Sequence, residues 1–341
     1  MLKIILPVVV LLGFVLPSVA QIGGEQTFRF LSLTHSARLA GMGGGHVALG
    51  DSSDLNMPFH NPALLRNDMT RQVLVSYVNY LADIHYGYAS HAWSLPRYGT
   101  VAAGMHYINY GRFSETLPDG SFSGGEFQAA EYALNLIWSH HYRRLQYGLN
   151  IKPVLSVFER YQSAGIAFDA GILWSSRNGL TRIGTTARNF GYQLTTYYSE
   201  GVRERLPFDL QAGIAHRLAQ VPLVLSVTAH NLNHWELSKP EEELAADSFF
   251  PPSEGYGQQL MRHLIAGVEF MPSPNFTIRG GYNYHLRQEL KHSERLSTVG
   301  LSAGFGVRIK RFRFDYATTR YHIAGTSSHF TLAFSINNPR F

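Results

Sequence analysis

From Val73 onward the sequence alternates apolar and polar side chains with a period of two, one segment after another. In 275–287, Phe276, Ile278, Gly280, Tyr282, Tyr284 and Leu286 share one face; Thr277, Arg279, Gly281, Asn283, His285 and Arg287 share the other. Successive strand side chains point to opposite sides of a sheet, so each such run has one greasy and one polar face. Residues 207–217 repeat this, with Phe208, Leu210, Ala212 and Ile214 against Asp209, Gln211, Gly213 and Ala215. So do 328–336, with Phe330, Leu332, Phe334 and Ile336 against His329, Thr331, Ala333 and Ser335. The fold class is all-β.

Fourteen segments of this kind can be counted: 73–80, 84–93, 99–110, 126–138, 144–158, 165–175, 181–190, 207–217, 221–232, 262–271, 275–287, 296–309, 311–322 and 328–336. Their length suits a tilted strand crossing a bilayer, about 9–11 residues, better than the usual about 5–6 of soluble sheets. Tight connections at 94–98, 139–143, 176–180, 218–220, 272–274 and Lys310 alternate with long ones at 111–125, 191–206, 233–261 and 288–295. The short 81–83 is an exception. Short turns on one side and long loops on the other are the habit of outer-membrane barrels. The expectation is a 14-stranded antiparallel transmembrane β-barrel over 71–341, with both barrel ends and the entry of the preceding segment on the short-turn, periplasmic side. A strand ending in Phe341 agrees with it. A soluble periplasmic β-protein, the rival for this pattern, would bury the apolar faces and need no detergent.

Composition supports export. Residues 1–20 read as a signal peptide: Lys3, an apolar run Ile4–Val15, then Pro17-Ser18-Val19-Ala20, with the mature chain starting at Gln21. The run is too short for a spanning helix, which needs about 20 apolar residues. Cysteine is absent, which excludes disulfides, thiolate metal sites and a cysteine nucleophile. Charged residues are 16% of the chain, where about 25% is usual for soluble domains. The formal charge of +5 is scattered, with no basic run pointing to nucleic acid.

Residues 21–70 break the pattern. Gly41, Gly43, Gly44, Gly45 and Gly50 crowd a stretch that closes on Asn61-Pro62-Ala63. Glycine at that density serves where backbone turns with positive φ or passes close to other backbone, and Asn-Pro signals a turn. The expectation is a compact N-terminal plug inside the barrel, with Arg38 paired to a carboxylate across the plug–wall contact. Asp51 and Asp54 would bond local backbone N–H groups.

No chemistry-bearing motif emerges. Sixteen histidines include no H-E-x-x-H pair; adjacent His140 and His141 point apart, and His230, His285 and His329 sit singly on polar faces, so no metal site is expected. Gly41–His46 lacks the G-K-[ST] close of a phosphate loop, and no serine lies in G-x-S-x-G. No catalytic residue and no cofactor is expected. Trp235, Phe249, Phe250 and Tyr256, in the longest loop, are candidate partner-binding residues, because large apolar side chains on an exposed loop mark contact surfaces. Folding back onto the barrel rim would account for them equally well.

Gly23-Gly24, Thr27–Leu33, Ser36-Ala37-Arg38, Gly41-Met42-Gly43-Gly44 and Asn61-Pro62-Ala63 resemble the N-terminus of the PorV/PorQ family of type IX secretion barrels. The Phe-x-Phe-Leu-x-Leu run is nearest the PorQ branch. That family is in turn similar to the outer-membrane fatty-acid transporters. The resemblance covers about 45 residues of motif. It implies a plugged fourteen-strand barrel without enzymatic activity, in which Ser36, Arg38, Gly41, Gly43, Asn61 and Pro62 are structural. It further implies a surface tether: a barrel of the attachment complex holding PorZ beside PorU and PorV, near lipopolysaccharide. The alternative is an outer-membrane channel for hydrophobic molecules of the fatty-acid transporter type.

Overall fold

A computed structural model describes residues 26–50, 54–116, 121–198, 201–237, 255–290, 298–322 and 325–336. The expected signal peptide lies outside them. Fourteen strands run β1 (Gln72–Asn79), β2 (His85–Leu95), β3 (Gly99–Thr116), β4 (Phe122–Tyr142), β5 (Leu145–Phe158), β6 (Tyr161–Ser175) and β7 (Thr181–Thr195). They continue with β8 (Asp209–Arg217), β9 (Leu223–Ala229), β10 (Leu264–Ser273), β11 (Phe276–Asn283), β12 (Leu301–Ile309), β13 (Phe312–His322) and β14 (Gly325–Ser335). Each pairs antiparallel with the next, and β14 returns to β1 from Gln72↔Ser335 to Asn79↔Ser328, closing the barrel. Closure leaves no unpaired edge, which a sheet in hydrocarbon requires. Among the described residues no helix is long and apolar enough to cross a membrane.

The alternation is turned inside out relative to a soluble protein. On β1, Val73, Val75 and Tyr77 are exposed on the outer face while Leu74, Ser76 and Val78 are buried inward. Phe276 and Ile278 face out while Arg279 faces in; Phe330 and Leu332 face out while His329 and Thr331 face in. Trp93, Tyr98, Tyr142, Trp174 and Phe312 stand exposed near the short turns, where an aromatic girdle is expected at a membrane interface. Trp138 Nε1 donates to the Tyr98 carbonyl at 2.8 Å, anchoring one such turn.

Three sequence expectations about connections are corrected. The 111–125 loop is largely strand, because Phe113, Phe127 and their neighbours continue the β3–β4 ladder to Thr116↔Phe122. The connection before β6 shrinks to Glu159-Arg160, since Tyr161–Gly165 already pair with β5. Residues 284–287 leave the sheet: β11 stops at Asn283, whose Oδ1 accepts from Leu286 N at 3.0 Å, and a short helix follows over Tyr284–Leu290. The wall is consequently tall along β3–β7 and low along β8–β12.

The N-terminal residues run inside this wall. They form a 3-10 turn (Arg29–Ser32), α1 (Ala37–Ala40), α2 (Met57–His60) and 3-10 turns at Pro62–Leu64 and Asn67–Met69. The described part begins at the long-loop end: Thr27 N donates to the Arg205 carbonyl at 3.0 Å, and Phe30 clusters with Val78, Tyr80, Ile84 and Tyr86. It dips to the short-turn end at Leu49 and Gly50, which lie against Leu180 and Arg182, and again where it joins β1. The first described residues thus lie at the long-loop end, not on the short-turn side from which entry was expected; residues 21–25 lie outside the described residues. Four apolar clusters seat it: Phe28–Leu31 against Tyr86 and Ile108, Leu39–Leu49 against Leu173 and Val224, Leu55–Phe59 against Tyr88 and Ile137, and Ala37 and Ala40 against Ala317.

Candidate functional site

The contact between the N-terminal segment and the wall carries most of the buried polarity. Ser36 caps α1, its hydroxyl accepting from Leu39 N at 3.3 Å. That start places Arg38 toward β10, where Nε donates to Glu269 Oε1 at 3.0 Å and Nη2 to Oε2 at 2.5 Å. Glu269 also accepts from Arg279 Nε at 2.8 Å, and Arg279 Nη1 reaches Asp315 Oδ1 at 2.7 Å. Arg313 Nε holds Asp315 Oδ2 at 3.0 Å, and its Nη2 donates to Asp54 Oδ1 at 2.7 Å. The chain of charges thus leaves the segment at Arg38, crosses four wall residues, and returns to the segment at Asp54. Three guanidinium groups alternate with three carboxylates, so no net charge is buried. Asp54 Oδ1 also accepts from Asn56 N at 3.1 Å; Asp51 lies outside the described residues.

Glycine lets the two backbones meet. Gly43 has φ 99°, a left-handed value, and a Cβ there would sit 3.0 Å from Tyr282 N. A Cβ on Gly281 of the wall would overlap the Met42 carbonyl. Gly41 would bring a Cβ to 3.3 Å from that of Ala317. Asn61 Nδ2 donates to the Val47 carbonyl at 2.8 Å and its Oδ1 accepts from Ala63 N at 3.0 Å. Pro62 opens the next turn and lies against Gly148.

His46, which fits no motif, bridges segment and wall. Its Nε2 lies 2.9 Å from the Met42 carbonyl and its Nδ1 3.0 Å from Ser226 Oγ. A carbonyl can only accept, so Nε2 carries the proton and Nδ1 accepts from the serine. Burial disfavours the charged form and lowers its pKa to about 4.

A second layer surrounds Phe59. His35 packs edge-on at 4.4 Å between centroids, with His60 at 5.2 Å and His106 at 5.1 Å, and Tyr88 stacks on His35 at 4.2 Å. Lys152 Nζ and the Arg188 guanidinium stand 5.4 and 5.2 Å from the Phe59 centroid. Burial, then the neighbouring basic groups, holds His35 and His60 well below the ordinary histidine value.

At the long-loop rim, Trp235 folds back: its carbonyl accepts from Gln259 Nε2, and its ring stacks on His263 at 5.3 Å. The ring stays about half exposed. Tyr256 opens α3 (Tyr256–Arg262) and projects outward. Phe249 and Phe250 lie outside the described residues. No cluster of metal-ligating side chains forms among the described residues.

Arg38 and Asp54 stand out in the sequence, but their wall partners Glu269, Arg313 and Asp315 do not, nor do Lys152, Asp169 and Arg188. A signal existed: each is an isolated charge on the inward face of a strand whose outward face is apolar.

No protein-family model matches the chain, and no curated protein matches it. Among solved structures it is similar to TodX, a monoaromatic hydrocarbon channel studied as a deltaS2 mutant. The TM-score is 0.51 at 12% identity, covering 88% of this chain and 97% of that one. A Pseudomonas aeruginosa FadL homologue follows at TM-score 0.46, 12% identity, and 90% and 98% coverage, too distant a likeness to argue from. The fold defines the class: a closed fourteen-strand antiparallel barrel, similar in fold to the TodX barrel, with its described N-terminal residues inside.

Proposed function

We propose that the chain is an outer-membrane barrel that admits a hydrophobic small molecule, in the manner of the fatty-acid transporter type. Residues 21–70 are its plug and 71–341 its barrel. The observation that carries this reading is the apolar layer at the long-loop end, where Phe28, Phe30 and Leu31 meet Tyr86, Ile108 and Leu206 between segment and wall. A greasy solute arriving from outside meets that layer first. The likeness to a hydrocarbon channel supports the same reading. Passage needs the segment to shift, because it occupies the lumen, and it involves no bond chemistry. Uptake of labelled toluene and oleate into liposomes holding the purified chain tests it. Accumulation several-fold above empty liposomes supports the channel; equality with them refutes it.

A second reading has its own observation. The six-membered charge chain fastens the segment to the wall at both Arg38 and Asp54, which suits a rigid platform. On this reading the barrel tethers a surface protein of the type IX attachment complex, PorZ and through it PorU and PorV, near lipopolysaccharide. Trp235, Phe249, Phe250 and Tyr256 would be the anchors. Gentle-detergent capture with 238–256 replaced by a Gly-Ser link decides it: a surface protein lost on replacement supports the tether, and no co-purifying protein refutes it.

A further inference from the structure

Several lumen charges stand outside the balanced chain, Lys152, Asp169 and Arg188 among them. Asp169 sits where the β6–β7 ladder slips between Phe168 and Ala170, and Asn189 opposite has φ 57°. A bulge of this kind re-aims side chains, and here both Arg188 and Asn189 turn inward, 3% and 0% exposed. Asp169 is fully engaged: by Lys152 Nζ at 2.7 Å, Asn150 Nδ2 at 3.0 Å and Asn189 N at 2.8 Å. Arg188 donates only from Nη2, to the Leu31 carbonyl at 3.3 Å, and its Nε has no partner. No ion pair joins it to a carboxylate among the described residues.

Around the same Phe59 ring, His35, His60 and His106 are fully buried, and all six of their ring nitrogens lack a hydrogen-bond partner. Buried charges are normally paired, and nearly all buried polar side-chain atoms find a partner. Four neighbouring groups break the rule together, and each can donate an N–H. With Arg188 and Lys152 positive and Asp169 negative, the local charge is one positive in excess.

We propose that Arg188, His35, His60 and His106 form a binding site for a small monovalent anion, a halide or a carboxylate, between segment and wall. The wall contributes Arg188 and His106; the segment contributes His35 and His60. An anion bound there satisfies the guanidinium and the imidazole N–H groups together, and fastens the segment to β3 and β7, strands the charge chain does not touch. The site stands whether the barrel conducts or tethers.

Crystals of the full chain soaked in sodium bromide test this by anomalous scattering. The expected result is a bromide peak within hydrogen-bonding distance of Arg188 and at least one of the three histidines. Soaks with formate and with octanoate then identify the source: displacement by formate alone marks a free ion, and displacement by octanoate too marks the head of an amphiphile. In solution, halide at constant ionic strength raises the apparent unfolding temperature of the unsubstituted chain and not that of Arg188→Gln. Bromide found only on the surface, an adventitious ion only, overturns the proposal, as does water refined at Arg188 in the bromide crystals. The soak uses unsubstituted protein, so a variant that fails to fold does not affect it.

Discussion

Arg38 and Glu269, 231 residues apart, form a two-bonded fork inside the barrel, at 3.0 Å through Nε and 2.5 Å through Nη2. Both side chains are almost wholly buried. An ion pair in that position does not stabilise simply by existing, because desolvating both charges costs about what their attraction returns. Its consequence appears when one partner is removed.

Arg38→Ala should therefore cost about 3–5 kcal/mol, the range for leaving a buried charge without its partner. Replacing both, Arg38→Ala with Glu269→Ala, should cost less than the sum of the single changes. Apparent unfolding temperatures in detergent for the four-member cycle check this. Additive losses would mean that the two groups do not act together.

The close approach at Met42 predicts that Gly281→Val unseats the segment while leaving the strand paired, because β-branched residues suit strands. Overpacking of this kind costs about 1–3 kcal/mol. Limited proteolysis should cut within residues 26–70 of the variant and spare them in the unsubstituted chain, with strand content by circular dichroism unchanged. Equal protection in both would contradict the seating.

Acid should loosen the lumen. His35 and His60 are held neutral by burial, and His46 is lowered to about 4. A histidine lowered in the folded state contributes stability that is full above its unfolded value of about 6.5 and is lost as pH falls below it. Each contributes up to about 1.4 kcal/mol per pH unit over that window. The unfolding temperature should fall between pH 6.5 and 4, and His46→Gln should flatten the profile. A midpoint independent of pH across that range would overturn the assignment.

The outward face makes a prediction of another kind. Ile278→Arg puts a charge on the lipid side of β11, and should cost about 2–4 kcal/mol if that position lies near the bilayer midplane. Refolding yield into lipid vesicles, titrated with urea, measures it. A neutral result would place Ile278 outside the hydrocarbon.

The strands were legible because an alternating pattern is local: Phe276, Ile278 and Arg279 declare their faces from sequence alone. Strand number and closure followed from counting. What sequence did not show was long-range or set by irregularity. The extension of β3 and β4 depends on each other's backbone, and the inward turn of Asn189 beside Arg188 depends on a one-residue slip at Asp169. Nor could Glu269, Arg279 and Asp315 be joined to Arg38, because adjacency around a barrel is a property of closure. The glycines at 41 and 43 marked a close approach, but not that Tyr282 and Ala317 were what they approached.

The channel account rests on the segment moving, and the chain's lack of cysteine makes that directly measurable. Gly41 and Ala317 lie where two Cβ atoms would be 3.3 Å apart, close to the spacing a disulfide spans. Uptake of labelled toluene would be compared in liposomes carrying Gly41→Cys/Ala317→Cys, oxidised and then reduced. The account predicts uptake at the level of empty liposomes when oxidised and recovery on reduction. Uptake that is the same in both states would show that the segment does not gate the barrel.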